Sequence, residues 1–195
     1  MGSYINIGLI YSSSEATEAH LMKLIELLTE NEGRIENVKF CEDVDGERWI
    51  QYDFPHHDPA IFEKLTRSYY GHIYLFADLV PFKGLNVEIE IEKCEGYSGF
   101  LVSFRESEML PDYSADSLET ATETLVKLVA EIYPAVPFDY AFCDLEAQIE
   151  FSPQEFKPER YSLSFWPDIS NGELKVTKSN CHINGLTERQ DRDLY

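Results

Sequence analysis

Residues 86–92 alternate without a break: Val87, Ile89 and Ile91 fall on one side of an extended chain, and Glu88, Glu90 and Glu92 on the other. A strand with one dry face and one wet face suits this pattern. Such strands belong to antiparallel sheets, because parallel sheets are covered on both faces and read as continuous apolar runs. The surrounding sequence repeats the theme of strands joined by short turns. Residues 34–42 and 47–54 read as two strands around Asp45-Gly46, a dipeptide suited to a tight hairpin with both central residues at positive φ. Residues 72–80 and 99–106 flank the alternating strand as its partners.

Three segments carry a helical period instead. Leu21, Leu24, Ile25 and Leu28 form one stripe. A helix is expected from about Glu15, where Ser12 and Glu15 have capping-box spacing, to about Asn31, with Gly33 as its stop. Asp58-Pro59 opens a second helix that ends before Gly71. Leu118, Ala121, Leu125, Leu128, Val129 and Ile132 are the buried face of a third, closed by Pro134 and Pro137. Residues 4–11, 140–151 and 161–166 complete the strands, and residues 173–176 make a short edge strand.

The expected fold is α+β: a mostly antiparallel sheet with about three helices packed on one face. A single domain over residues 1–178 and a polar C-terminal tail at 179–195 follow. The alternative is a division into two near Pro111-Asp112.

The 195 residues include 36 Asp+Glu and 16 Lys+Arg, a net charge of −20, spread through the folded segments rather than held in a tail. Self-repulsion of that size works against the compact state, so the field is expected to serve a purpose. It argues against direct binding to nucleic acid or an anionic membrane, both of which select Lys and Arg. With 12 Tyr and 12 Phe the chain is too aromatic for a disordered acidic protein. No apolar run approaches the ~20 residues of a membrane span, and no basic n-region precedes the first strand. The four cysteines are scattered without a C-x-x-C pair, which fits reduced thiols in the cytoplasm.

Motifs for chemistry are missing. The acids at Glu42, Asp43, Asp45 and Glu47 do not make a calcium loop, because Cys41 and Tyr52 stand where its first and last carboxylates belong. His56-His57-Asp58 lacks zinc-ligand spacing, and His20, His72 and His182 stand alone. Ser12-Ser13-Ser14 has neither the glycines nor the lysine of a phosphate loop or nucleophile elbow. No cofactor, metal or catalytic residue is expected.

The acid row remains. On one strand face, Glu88, Glu90 and Glu92 lie ~7 Å apart, close to two base-pair steps of DNA at ~3.4 Å each. The row is either a docking face for a basic protein or a solvated face neutralised by Lys or Arg on a neighbouring strand. Trp49 and Tyr52 take opposite faces of their strand, so one of them can be exposed beside acids. The candidate partner-binding residues are Glu88, Glu90, Glu92, Asp43, Asp45 and Trp49.

The segments Glu47-Arg48-Trp49-Ile50-Gln51-Tyr52-Asp53-Phe54 and Phe138-Asp139-Tyr140-Ala141-Phe142-Cys143-Asp144-Leu145-Glu146-Ala147, within an acidic, aromatic-rich chain, resemble bacterial polymorphic-toxin immunity proteins. The resemblance implies a non-catalytic protein that binds and inhibits a cognate basic toxin domain such as a nuclease. The alternative is a small-molecule-binding or enzymatic domain with an aromatic-lined pocket and buried carboxylates such as Asp144 or Glu146. A third reading gives the charge no role beyond solubility.

Overall fold

The computed structural model describes residues 3–12, 18–55, 58, 60–112, 114–168, 173–179 and 183. Nine strands form one sheet: β1 (Tyr4–Tyr11), β2 (Arg34–Cys41), β3 (Trp49–Asp53), β4 (Tyr70–Leu79), β5 (Phe82–Cys94), β6 (Tyr97–Arg105), β7 (Tyr140–Leu145), β8 (Leu163–Pro167) and β9 (Leu174–Lys178). Their order is β3-β2-β4-β5-β6-β1-β7-β8-β9, and every neighbouring pair is antiparallel. The helices are α1 (Glu18–Thr29), α2 (Ile61–Arg67), the short α3 (Glu106–Met109) and α4 (Ala115–Ala135). The fold is α+β, as the strand and helix periods imply.

The core lies between one sheet face and the helices. Leu21, Leu24, Ile25 and Leu28 of α1 and Leu118, Ala121, Leu125, Leu128, Val129 and Ile132 of α4 are all buried there. They pack with Ile73 and Leu75 of β4, Val87, Ile89 and Ile91 of β5, and Val102 of β6. Ile183 joins this core, donating its N–H to Thr122 Oγ1 at 3.2 Å.

The opposite sheet face is divided. Over β1, β6 and β7 it is covered by residues 147–161, whose side chains form a second cluster with Ile10, Leu101, Tyr140 and Phe142. Strand β1 is therefore buried on both sides, whereas β4 and β5 alternate buried and half-buried. The open half of this face lies over β2–β5.

Several boundaries differ from the sequence reading. Strand β7 ends at Leu145 rather than Phe151: Glu146 takes φ 50°, and the chain folds back so that Ile149 and Phe151 pack on the sheet instead of extending it. Helix α1 stops at Thr29, and Glu32, not Gly33, has the positive φ. Gly33 serves close approach: an added Cβ would stand 2.7 Å from Thr29 Cα and 2.8 Å from Phe76 O. Helix α2 ends at Arg67, and Gly71 lies inside β4. Helix α4 continues past Pro134, which sits in its last turn, and Ser114 caps its start by accepting from Ser117 N. Glu15, His56, His57, Pro59, Cys181 and His182 lie outside the described residues, as does most of the expected tail.

Candidate protein-binding face

On the open half-sheet, cross-strand register brings residues far apart in sequence into rows. His72 of β4 stands opposite Glu90 of β5, and Tyr74 opposite Glu88. Lys39 of β2 is the next residue beyond His72, and Gln51 of β3 lies beyond that. On the other flank Glu88, Glu90 and Glu92 face Ser103, Leu101 and Gly99 of β6. A solvated row would be expected to meet Lys or Arg on its neighbours; here it meets one histidine, one tyrosine and three uncharged residues.

The row is consequently unequal. His72 Nδ1 lies 2.8 Å from Glu88 Oε1, while His72 Nε2 lies 3.9 Å from Glu90. The His72 hydrogen bond holds the Glu88 carboxyl below its ordinary range; burial opposes this and the Tyr74 hydroxyl assists. Burial pushes Glu90 up, with Glu88 adding to the shift and His72 opposing it. Glu92 is also pushed up by burial and then by Glu90. No hydrogen bond or ion pair reaches Glu92 from the described residues.

Beside the acids runs an aromatic strip. The Trp49 ring lies 5.4 Å from His72 and 6.1 Å from Tyr70, Lys39 Nζ sits 4.4 Å above the indole, and His72 stacks on Tyr74 at 6.3 Å. Trp49 and Tyr70 are exposed at 38% and 41%. Tyr52 turns the other way and stacks on Phe40 in the core at 6.1 Å.

The loop at residues 42–48 leans against this strip. Trp49 Nε1 donates to Gly46 O at 2.9 Å, and Tyr70 Oη donates to Val44 O at 3.1 Å. It is not the tight two-residue hairpin expected from Asp45-Gly46, because only Gly46 has a positive φ. Asp43 is the reason. Its carboxylate accepts from Glu47 N and Arg48 N, each at 2.9 Å, and from Cys41 Sγ at 3.1 Å, which shapes a wider loop. Those hydrogen bonds hold Asp43 well below the usual carboxylate range. Asp43 thus points into its loop, whereas Asp45 is exposed at the tip.

Of the candidate residues, Glu88, Glu90, Glu92 and Trp49 share the open face, Asp45 edges it and Asp43 shapes its border. Lys39, Tyr70, His72 and Tyr74 were not among the candidate residues, and His72 read as a histidine standing alone. The only signal was that β4 alternates as β5 does; register alone shows which of its residues meet the glutamates.

The aromatic-pocket alternative meets a filled space. Tyr140 stacks on Phe156 at 3.9 Å and Phe142 on Tyr161 at 4.1 Å. The Asp144 carboxylate accepts from Ser162 N at 3.0 Å and Ser162 Oγ at 2.6 Å, and Glu146 accepts from Tyr4 N at 2.6 Å. Asp58 accepts from Ala60 N and pairs with Lys64 at 2.6 Å. Among the described residues no three His, Cys, Asp or Glu side chains are placed to hold a metal ion, and no helix is long and apolar enough to cross a membrane.

Compared with known proteins, residues 1–189 match the family described as Immunity protein 64. The chain belongs to that family. An Immunity protein 64 member is a toxin-inhibiting protein and not an enzyme. The fold is similar to a chain in the 1.75 Å crystal structure of the toxic C-terminal tip of CdiA from Pseudomonas aeruginosa in complex with immune protein. The TM-score is 0.51 at 15% identity, covering 81% of this chain and 99% of that one. No curated protein matches the sequence.

Proposed function

We propose that this immunity protein neutralises its toxin in the cytoplasm by seating a basic toxin domain on the open half-sheet. Glu88, Glu90, Glu92 and Asp45 supply charge, and Trp49 and Tyr70 supply apolar contact. The carrying observation is the inequality of the acid row. Half-buried carboxylates at Glu90 and Glu92 have no Lys or Arg paired with them among the described residues and only the His72 ring nearby, which disfavours the free protein and favours a partner that brings cations. Exposed aromatics beside them match the composition of interface hot spots. A toxic tip held by an immune protein is also what the structurally similar crystal complex contains. A nuclease domain fits the charge, since a surface built to bind nucleic acid is itself basic.

The test is association kinetics with the cognate toxin domain. Charge reversal of Glu88, Glu90 and Glu92 to Lys should slow association by at least about tenfold at low salt. An unchanged rate in a folded triple variant removes the half-sheet from the interface.

A further inference from the structure

Strand β3 forms one edge of the sheet and β9 the other. The two edges differ. β9 carries exposed Lys175 and Lys178, and lysines on an edge discourage a further strand from adding. β3 reads Trp49-Ile50-Gln51-Tyr52-Asp53, with neither lysine nor proline, and its register with β2 runs without a bulge. Trp, Ile and Tyr all favour extended chain.

One hydrogen bond fixes which way the main-chain groups of β3 point. Phe54 N donates to Glu36 O at 2.9 Å, one step beyond the β2–β3 ladder. Bonded and unbonded residues alternate along an antiparallel pair. Tyr52 and Ile50, opposite Val38 and Phe40, therefore turn their N–H and C=O groups to β2, and Trp49, Gln51 and Asp53 turn theirs outward. Among the described residues no strand lies beyond β3 to meet these outward groups. The side chains of Trp49, Gln51 and Asp53 are exposed, and those of Ile50 and Tyr52 are only half-buried.

We infer that β3 is the edge on which the toxin docks, an extended segment of the toxin domain pairing with it as a tenth strand. The inference rests on the proposed toxin face and adds a main-chain contact beside it. Paired residues of neighbouring strands point to the same face of a sheet. Toxin side chains level with Trp49, Gln51 and Asp53 fall on the open face next to the aromatic strip, where Asp53 and Asp45 favour Lys or Arg. Those level with Ile50 and Tyr52 fall on the core side, where apolar residues complete the cover that these two side chains lack. The acid row of β5 stands three strands in, about 14 Å at ~4.8 Å per strand. One basic domain can therefore cover the row while its edge strand lies on β3. A second copy of this chain is the poorer occupant. It brings a further net charge of −20 to an edge bordered by Asp45, Glu47 and Asp53, where Arg48 is already turned to Asp43 at 3.6 Å.

The test uses the whole immunity protein and the cognate toxin domain. Gln51→Pro removes one outward N–H and leaves the β2–β3 ladder intact, since proline is tolerated where the N–H of an edge strand faces solvent. Gln51→Val keeps that N–H and removes the side-chain amide. Gln51→Pro should weaken Kd by about tenfold or more, because a toxin carbonyl is left without its donor, and Gln51→Val should stay within about twofold of the parent. Equal losses would make Gln51 a side-chain contact and overturn the strand pairing. No loss in either variant overturns it as well. Glu92→Lys then separates the two readings: weakened binding keeps the toxin on the half-sheet, and unchanged binding removes both. Hydrogen exchange needs no variant and decides alone if Gln51→Pro fails to fold. The amides of Trp49, Gln51 and Asp53 should exchange fast in the free protein and at least about tenfold more slowly with toxin bound. Slow exchange in the free protein means that a second copy or another part of this chain takes the edge, and overturns the inference. Fast exchange in the complex overturns it too.

Discussion

At the residue scale, the proposed toxin face makes Glu92 a residue that exchanges stability for binding. Burial and Glu90 raise its pKa above the ordinary 4.5, so its folded form holds a proton more tightly than its unfolded form. A raised carboxyl destabilises the fold when ionised, and the cost is relieved as pH falls through the raised value. Glu90 behaves in the same way. Glu88 has the opposite sign: its lowered pKa contributes stability above the ordinary 4.5 that is lost as pH falls through the lowered value. Melting temperature should therefore rise between about pH 7.5 and about pH 5 and fall again in stronger acid. Glu92→Gln should begin higher at neutral pH, by on the order of 0.5 kcal/mol or about 1–2 °C once solvent screening is allowed for. It should gain less on acidification and bind toxin more weakly. A variant that is no more stable than the parent at neutral pH would refute the exchange. Gly8 makes a different single-residue argument. A methyl there would overlap the Phe142 ring, which is stacked on Tyr161 at 4.1 Å and has little room to move. Gly8→Ala should cost about 1–3 kcal/mol in urea unfolding, and Phe142→Leu in the same chain should recover part of it.

At the element scale, the loop at residues 42–48 depends on Asp43, and Trp49 depends on the loop. Asp43→Ala should speed hydrogen exchange at Glu47 and Arg48, whose N–H groups lose their acceptor. It should weaken toxin binding less than Trp49→Ala, which removes an exposed ring outright and should cost about 2 kcal/mol. Equal losses would make Asp43 a direct contact. The same elements show what the sequence discloses. Alternation in β5 marked a sheet with one open face, whereas the mostly apolar β1 and β7 are covered on both sides although Asn6 and Asp144 interrupt them. Helix stripes were legible because α1 and α4 each bury a single face. Ends were less so: the turn at Glu146 and the stop at Glu32 need a positive φ at non-glycine residues, which local propensity argues against. The loop shape depended on a carboxylate satisfying backbone N–H groups, and Asp45-Gly46 pointed to a different turn. Half of the candidate face was readable, since the glutamates and Trp49 announce themselves by pattern and type. His72, Tyr74 and Lys39 reach the candidate face only through cross-strand register, which no local window contains.

At the scale of the whole molecule, the net charge of −20 acts in two directions that salt should separate. Like charges on one compact body repel, so the field weakens the fold of the free protein. The same field would draw the proposed basic toxin domain from beyond contact range and raise the association rate. Added salt shortens the reach of both, to about 10 Å at 0.1 M. Melting temperature should rise as NaCl is raised from about 50 mM to about 500 mM, because repulsion is spread over the whole surface and is screened. Association with the toxin domain should slow over the same range by on the order of tenfold or more. Dissociation should change much less, since contacts such as Trp49 and Tyr70 would be desolvated in the proposed complex and poorly screened. Stopped-flow mixing and thermal melts in matched buffers measure both effects. A rate that ignores salt while stability climbs would leave the charge with no part in capture, and binding would then rest on the aromatic strip alone.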